Sequence, residues 1–237
     1  MEALFFLFWG SMKFGGFQKL SLLNYPDKMA CAVFTIGCNF RCPYCHNAGL
    51  VCGESRQIDQ DQVLAYLNKR KGILDGICIS GGEPLMTDGI LPFMEQVKGL
   101  GYLIKLDTNG SYPERLQTVI TKGLVDYAAM DVKNTAAGYA ETIGLPEAPL
   151  TQIRESINIL KEGRIPYEFR TTVVREFHSS DDIREIAAEL SGASVWYLQP
   201  FLDAPEVPRK GLHAPDQMTM EEFGSIGNRF IQTIIRN

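Results

Sequence analysis

Three cysteines lie within one short stretch of this sequence. Cys38, Cys42 and Cys45 are separated by three and then two residues, in a chain of 237 residues with only six cysteines. Thiolates are soft ligands that suit zinc or iron–sulfur clusters. Zinc would complete a tetrahedral site with His46, whereas a four-iron, four-sulfur cluster would take only the three thiolates and leave one iron open for a ligand. The spacing places the cluster slightly ahead of zinc, and a loop of free thiols a distant third.

The other three cysteines contribute little to such a site. Cys31 and Cys78 lie in apolar runs, where a free cysteine usually behaves as a small buried hydrophobic residue. Cys52 lies in the loop that follows the cluster of cysteines and is only a minor candidate for a fourth ligand. This usage does not resemble the disulfide framework of a secreted protein, so it favours a reducing, cytoplasmic location.

Composition narrows the classes of partner. The net charge of −5 gives no support for sequence-independent binding to nucleic acid, which needs a basic face. Residues 1–9 are strongly apolar but too few to span a bilayer, which takes about 20 residues. They also lack the basic region and the cleavage site of a signal peptide. We therefore expect neither a nucleic-acid partner nor a membrane partner.

The apolar residues at the start also bear on domain organisation. We expect the domain to begin at Met12, with residues 1–11 as a non-native or disordered extension. An extra helical turn packed on the domain is the alternative for those residues. No linker, repeat or low-complexity block divides the remainder, so residues 12–237 are predicted to form a single domain.

Six short apolar strands alternate with helices along the chain. Strands of this kind, buried on both faces, are typical of one parallel sheet with right-handed crossovers, which is an α/β fold. Six units are too few to close an eight-stranded barrel, so an open three-quarter barrel or a doubly wound sheet remains. The predicted strands are 30–35, 76–80, 102–106, 125–130, 167–174 and 194–199.

The flanking segments are less regular. Residues 13–28 indicate a lead-in hairpin or edge strand. Residues 200–218 contain four prolines and are predicted to be irregular. Thr219 and Glu222 have the spacing of a capping box for a final helix that reaches Ile235.

Polar residues follow the predicted strands at four places, and these define a candidate site. They are the cysteine loop, Gly81–Pro84, Asp107–Gly110 and Asp131–Lys133. Because the carboxyl ends of parallel strands meet at one edge of the sheet, all four should lie together, where such folds bind ligands.

Each of these residues has a structural role as an alternative. Gly81 and Gly82 let a ligand approach the backbone, or they form a plain tight turn. Glu83 accepts from a cationic amine, or it caps a helix.

Each of the charged side chains in these segments also has either a ligand-binding role or an ordinary structural role. Asp107 and Asp131 hold a cation or a pair of ribose hydroxyls, or they are caps. Lys133 neutralises a carboxylate, or it is a solvated surface charge. Tyr44 would expose its ring beside the metal and stack on a base. A zinc-stabilised binding module using Cys38, Cys42, Cys45 and His46 would explain the cysteines but none of the other rim residues.

These motifs together resemble the radical S-adenosylmethionine superfamily. The resemblance rests on the three spaced cysteines, with an aromatic residue before the third, and on Gly81-Gly82-Glu83-Pro84. It covers nearly the whole chain from about Gly15. Residues 15–28, 106–110 and 130–133 look like those of glycyl-radical-enzyme activases. Within that group the sequence is similar to anaerobic ribonucleoside-triphosphate reductase activating proteins, which are close to pyruvate formate-lyase activating enzymes.

The resemblance implies a partial (β/α)6 barrel, which is the radical SAM fold. It also implies a [4Fe-4S] cluster held by Cys38, Cys42 and Cys45, whose open iron chelates the methionine part of S-adenosyl-L-methionine. Gly81, Gly82 and Glu83 would contact the cofactor's amino group, and Tyr44 and His46 would lie along its nucleoside. Asp107, Thr108 and Asp131 would surround a possible monovalent cation, with Lys133 close by.

The sequence departs from the resembled activases at two places. A histidine that contacts the cofactor in those enzymes is replaced around Phe201–Leu202. There is also no cysteine-rich insertion after Cys45, which argues against activases with auxiliary clusters.

The implied activity is that of an anaerobic oxidoreductase. An electron donor such as flavodoxin or ferredoxin would reduce the cluster, and the cofactor would be cleaved to methionine and a 5′-deoxyadenosyl radical. The radical would take the α-hydrogen of a glycine in a glycyl radical enzyme, foremost anaerobic ribonucleotide reductase. The alternatives are an activase of the pyruvate formate-lyase type and a small-molecule enzyme such as a deazaguanine synthase.

Overall fold

The computed structural model describes residues 12–53 and 57–236. The predicted extension, residues 1–11, lies outside this part of the chain. One sheet runs through the described residues, in the order β3-β1-β2-β4-β5-β6-β7-β8-β9. Its strands are β1 Lys13–Ser21, β2 Ala30–Thr35, β3 Ile58–Asp59, β4 Gly76–Gly81, β5 Leu103–Thr108, β6 Tyr127–Asp131, β7 Tyr167–Val173, β8 Trp196–Pro200 and β9 Thr233–Ile235.

The six predicted strands correspond to β2 and β4–β8, and all of them pair in parallel. β1 pairs antiparallel with β2 and β3, so the lead-in residues form a hairpin with β2, and β3 rather than β1 is the edge strand. Because β3 and β9 are the two ends of the strand order, the sheet is an open, partial barrel. The predicted α/β fold is confirmed.

Helices connect successive strands and cover the sheet. Their bounds are α1 Ala48–Cys52, α2 Gln60–Lys69, α3 Ile90–Gly99, α4 Pro113–Thr121, α5 Tyr139–Ile143, α6 Leu150–Lys161, α7 Ser180–Glu189 and α8 Gln217–Gly227. Among the described residues, no helix is long and apolar enough to cross a membrane.

The core lies between the helices and the sheet. α3 buries Ile90, Phe93, Met94 and Val97, the stripe expected from its 3.6-residue period. Phe93 meets Phe14 of β1 edge to face, with ring centroids 4.9 Å apart. Each such fully buried apolar side chain contributes about 1.5–3 kcal/mol, so this packing fixes the first half of the sheet.

The end of the chain differs from the prediction. Asp216, rather than Thr219, caps α8, because its carboxylate accepts from the Thr219 amide at 2.8 Å. The helix ends at Gly227 instead of reaching Ile235. The side chain of Asn228 accepts from the Thr233 amide at 2.9 Å and donates to the Thr233 carbonyl. These bonds turn the chain into β9, which then pairs with β8.

The proline-rich segment after β8 is irregular as predicted, yet it is well packed. Phe201, Val207 and Leu212 are buried in a second, smaller apolar cluster. That cluster includes Tyr44 of the cysteine loop and Phe177 of the segment after β7. The irregular segment therefore folds over the cysteine loop and helps to hold it in place.

Candidate active site

The carboxyl ends of the parallel strands surround a cavity of about 260 Å³. All the site residues predicted from the sequence line this cavity except Glu83. The lining residues are Cys38, Phe40, Cys42, Tyr44, Cys45, His46, Asn47, Val51, Ser80, Gly81, Gly82, Asp107, Thr108, Asn109, Asp131, Lys133, Arg170, Thr172 and Gln199. The four polar segments therefore converge at one edge of the sheet, as their positions after the strands predicted.

Backbone hydrogen bonds from three separate segments fix the cysteine loop. Gly37 donates to the carbonyl of Leu50 at 3.0 Å, and Arg41 donates to the carbonyl of Ile143 at 2.8 Å. Arg209, in the irregular segment, donates to the carbonyl of Pro43 at 2.9 Å. Because these contacts bracket the three cysteines, the loop is preorganised to hold a ligand.

The donor set suits a cluster better than a single metal ion. Within residues 12–53 and 57–236, no group of three or more His, Cys, Asp or Glu side chains could hold one metal ion together. The imidazole of His46 does not complete a zinc site, because its Nε2 donates to the Leu202 carbonyl and its ring stacks on Phe201. A four-iron cluster takes one thiolate per iron, so three thiols spread around one cavity fit it.

Burial affects the chemistry of the cysteine thiols. Desolvation raises the pKa of Cys42 to about 11 and also raises that of Cys38. Ligation of a metal by these thiols must therefore displace protons that burial holds more tightly than in an exposed cysteine.

Tyr44 gives a second sign that the cavity is built around a bound group. Its hydroxyl is buried and has no hydrogen-bond partner among the residues that the structure describes. Leaving such a group unsatisfied typically costs about 1–3 kcal/mol, which a bound cofactor can offset. The Tyr44 ring itself is buried against Phe177, with centroids 6.1 Å apart. The expectation of an exposed ring is therefore wrong, because the irregular segment covers it.

The glycine turn packs tightly against the cysteine loop. The amides of Gly82 and Glu83 donate to the carbonyls of Thr35 and Gly37 at 3.0 and 2.9 Å, so the Gly82 amide is not free to bind a ligand. Gly81 has a φ of +117°, a conformation that only glycine adopts readily. Both glycines are thus required for the contact between the turn and the loop, and both still line the cavity.

Glu83 stabilises the segments that line the cavity through buried hydrogen bonds. It is fully buried, and its two oxygens accept from Thr108 Oγ1 at 2.8 Å, the Asn109 amide at 2.7 Å and the Leu85 amide at 3.0 Å. Burial raises the pKa of Glu83 to about 7 despite these bonds. The capping alternative is confirmed by the Leu85 contact, whereas contact with the cofactor stays a prediction.

A chain of alternating charges forms the floor of the cavity. Arg170 donates to Asp131 at 2.9 Å and lies 3.4 Å from Asp107, so one guanidinium joins both carboxylates. Lys133 pairs with Asp131 at 2.9 Å, and Lys105 pairs with Asp107. Burial alone would raise the pKa of Asp131, but Arg170 and Lys133 overcome it and hold that pKa well below its usual range.

This arrangement has a direct consequence for ligand binding. Three positive side chains face two carboxylates, so the floor carries one net positive charge and can accept one anionic group. Arg170 and Lys105 were not predicted from the sequence. The available signal was a charged residue at an inner position of an otherwise apolar strand. Arg170 already pairs with both carboxylates. A cation held between Asp107 and Asp131 stays a prediction.

The family follows from a comparison with known sequences. Residues 32–190 match the family model of the Radical SAM superfamily. The chain belongs to this superfamily, whose members are enzymes that use a [4Fe-4S] cluster and S-adenosylmethionine. This confirms the resemblance inferred from the cysteine and glycine motifs.

Individual relatives refine the comparison. The chain is 31% identical over 226 residues to a Methanocaldococcus jannaschii protein named as a glycyl-radical enzyme activating enzyme, covering 93% of each. It is 28% identical to a 7-carboxy-7-deazaguanine synthase of Koribacter versatilis, covering 59% of each. A radical SAM methyltransferase from Sphaerobacter thermophilus superimposes with a TM-score of 0.71, at 17% identity over 92% of this chain and 68% of that one. At that identity the superposition shows the fold alone.

Proposed function

We propose that this protein is an activase of a glycyl radical enzyme. The observation that carries the proposal is the similarity to the M. jannaschii protein over 93% of both chains. The match to the deazaguanine synthase covers only 59% of each chain. Among glycyl radical enzymes, we propose anaerobic ribonucleoside-triphosphate reductase as the partner, which the lead-in residues 15–28 support.

Cys38, Cys42 and Cys45 hold the cluster in this proposal. Their thiols line the same cavity, and their loop is fixed by contacts with three other segments. The reduced cluster with its bound cofactor supplies a carbon radical that is able to remove hydrogen from a C–H bond. The protein's own task is to load, orient and shield that cofactor.

The floor of the cavity binds the charged end of the cofactor. Its single net positive charge, carried by Lys105, Arg170 and Lys133 against two aspartates, accepts the methionine carboxylate. Gly81, Gly82 and Thr108 line the same cavity, and the backbone of the two glycines would contact the amino group. Because the floor groups are paired with one another before the ligand arrives, little reorganisation is needed on binding.

The opposite side of the cavity receives the nucleoside. Tyr44 and His46 line it, and the buried Tyr44 hydroxyl has no hydrogen-bond partner among the described residues. Phe201, whose ring centroid is 5.6 Å from that of His46, fixes the imidazole. The irregular segment excludes water from this side through its buried Val207 and Leu212. Exclusion of water protects a reactive radical from side reactions.

The proposal can be tested by adding a partner under anaerobic conditions. The reconstituted protein, S-adenosylmethionine and dithionite are mixed with the anaerobic ribonucleoside-triphosphate reductase of the same organism, and electron paramagnetic resonance detects any glycyl radical. A parallel sample contains pyruvate formate-lyase, and Cys42→Ala protein is the negative control.

We expect a radical on the reductase that depends on Cys42. A radical on pyruvate formate-lyase alone would retain the activase class and reject the proposed partner. Cofactor cleavage with no protein radical in either sample would contradict the activase proposal and favour a small-molecule substrate, as in the deazaguanine synthase.

A further inference from the structure

The side chain of Asn109 lies against one of the three proposed cluster ligands. Its Nδ2 is 3.8 Å from Cys38 Sγ, within the range of a weak hydrogen bond to sulfur. Asn109 is buried and follows β5 directly, on the cavity rim. It was part of a polar segment singled out in the sequence, but no role was assigned to it.

A closed ring of hydrogen bonds fixes the orientation of the Asn109 amide. Its Oδ1 accepts from the backbone amide of Ser111 at 2.9 Å. Because a backbone N–H can only donate, the oxygen must face Ser111 and the nitrogen must face Cys38. Nδ2 also donates to Asn39 Oδ1 at 2.9 Å, and Asn39 Nδ2 donates to Ser111 Oγ at 2.9 Å. The donor is thus held in place from both sides.

Cys38 differs from the other two cysteines in this respect. Its sulfur also accepts from the Phe40 amide at 3.4 Å, so two donors face it. In the part of the chain that the structure describes, no side chain donates to the sulfur of Cys42 or Cys45. One corner of the proposed cluster is therefore more strongly hydrogen-bonded than the others.

Hydrogen bonds to ligating sulfurs are one determinant of cluster potential. Adding an electron to a cluster increases the negative charge on its thiolates, so a donor stabilises the reduced form more than the oxidised form. We propose that Asn109 is a positioning residue that raises the reduction potential of the cluster through its hydrogen bond to Cys38. This role rests on the proposed cluster ligands and goes beyond the proposed activity.

The test is a redox titration of the reconstituted holoprotein, without any partner enzyme. Iron content and midpoint potential are measured for the wild type, Asn109→Ala and Asn109→Asp. Aspartate keeps nearly the same shape, cannot donate when ionised, and adds a negative charge. Gln199→Ala is the matched control, because Gln199 is also an amide on the cavity wall but is not bonded to a ligating sulfur.

We expect full iron content in the Asn109 variants and a more negative potential in both, with aspartate the more negative of the two. At a fixed potential the ratio of reduced to oxidised cluster should fall about tenfold in Asn109→Ala, which corresponds to about 59 mV for a one-electron couple. Gln199→Ala should titrate like the wild type.

Two results would overturn the role of Asn109. One is full iron with the wild-type potential in both variants. The other is loss of iron from both, which would make Asn109 a requirement for assembly and not a tuning residue. If Cys38→Ala retained its iron, the proposed set of cluster ligands would be rejected. If the Asn109 variants showed the expected shifts of potential but the wild type formed no radical on a partner enzyme, only the activase proposal would be rejected.

Discussion

Gly82 passes so close to Gly37 that a Cβ on Gly82 would lie 1.8 Å from the Gly37 carbonyl oxygen. No heavy atoms approach this closely without bonding, so any side chain at Gly82 must push the cysteine loop away from the turn. The two motifs recognised in the sequence are therefore in backbone contact with each other, and the geometry of one depends on the other.

Gly82→Ala should consequently disturb the cysteine loop. We expect the variant to retain less than about half of the wild-type iron after reconstitution, or to lose about 2–3 kcal/mol of unfolding free energy, a cost typical of forced overpacking. Gly49→Ala is the matched control. Gly49 lies in α1 of the same region and has no atom near its would-be Cβ, so the iron content of Gly49→Ala should be unchanged and its stability should not fall. Equal behaviour of the two variants would contradict the contact.

Removal of one thiolate should abolish the cluster. Cys42→Ala leaves two of the three proposed ligands, which is too few for a cubane, so we expect neither bound iron nor cofactor cleavage. Cys52→Ala is the control, since Cys52 is exposed at the end of α1. Iron analysis and the absorbance of both variants distinguish them. Iron loss in Cys52→Ala as well would show that the ligand assignment is wrong.

Substitution of Asp131 tests whether the charged floor of the cavity binds the cofactor. Asp131→Ala leaves Arg170 and Lys133 without a shared partner, so they should shift and bind the cofactor carboxylate poorly. We expect full iron content but at least about tenfold less 5′-deoxyadenosine under dithionite, equivalent to roughly 1.4 kcal/mol. Asp131→Asn should be intermediate. Asp181→Ala is the control, because the Asp181 carboxylate is exposed on α7. If Asp131→Ala released as much 5′-deoxyadenosine as the wild type, Asp131 would have no role in cofactor binding beyond ending its strand.

The buried Glu83 should make stability depend on pH. Its pKa of about 7 in the folded protein exceeds that of an exposed glutamate, about 4.3. Its contribution to stability is therefore fully present below about pH 4.3 and is lost as pH rises through 7. Glu83→Gln does not titrate, and its amide nitrogen opposes a buried N–H donor. We expect Glu83→Gln to be less stable than the wild type at pH 5, by about 2 kcal/mol.

Between pH 5 and pH 8 the wild type should lose on the order of 3 kcal/mol that the variant keeps, so the deficit of Glu83→Gln should disappear or reverse by pH 8. Urea unfolding of both proteins at several pH values measures the difference. A difference that does not change with pH would show that Glu83 is ionised throughout this range, held by its three hydrogen bonds.

Local patterns were sufficient to predict the framework. The parallel strands were recognisable because each is a short apolar run, and the cysteines because their spacing is rare. The position of the site, at the edge where the carboxyl ends of the strands meet, followed from the direction of the strands alone. These features depend on residues that are close in sequence, which is why they were accessible.

The parts that were missed depend on contacts between distant residues. Arg170 lies on β7, and its two partners Asp107 and Asp131 are 63 and 39 positions away in sequence, so no local pattern could pair them. The final helix ended early because the residues after it form β9 and pair with β8, where Thr233 lies opposite Trp196, 37 positions earlier. The hydrogen bonds that Glu83 accepts from Thr108 and the Asn109 amide also join residues about 25 positions apart. Each correction requires knowledge of which strands are neighbours.

The proposed activase activity requires that the radical formed in this cavity removes hydrogen from a protein glycine. The most direct measurement uses anaerobic ribonucleoside-triphosphate reductase labelled with α-deuterated glycine, incubated with this protein, S-adenosylmethionine and dithionite, with mass spectrometry of the 5′-deoxyadenosine. We expect deuterium in the 5′-deoxyadenosine, in proportion to the glycyl radical formed, and none when Cys42→Ala is used. Unlabelled 5′-deoxyadenosine at wild-type yield, with no radical on the reductase, would contradict it.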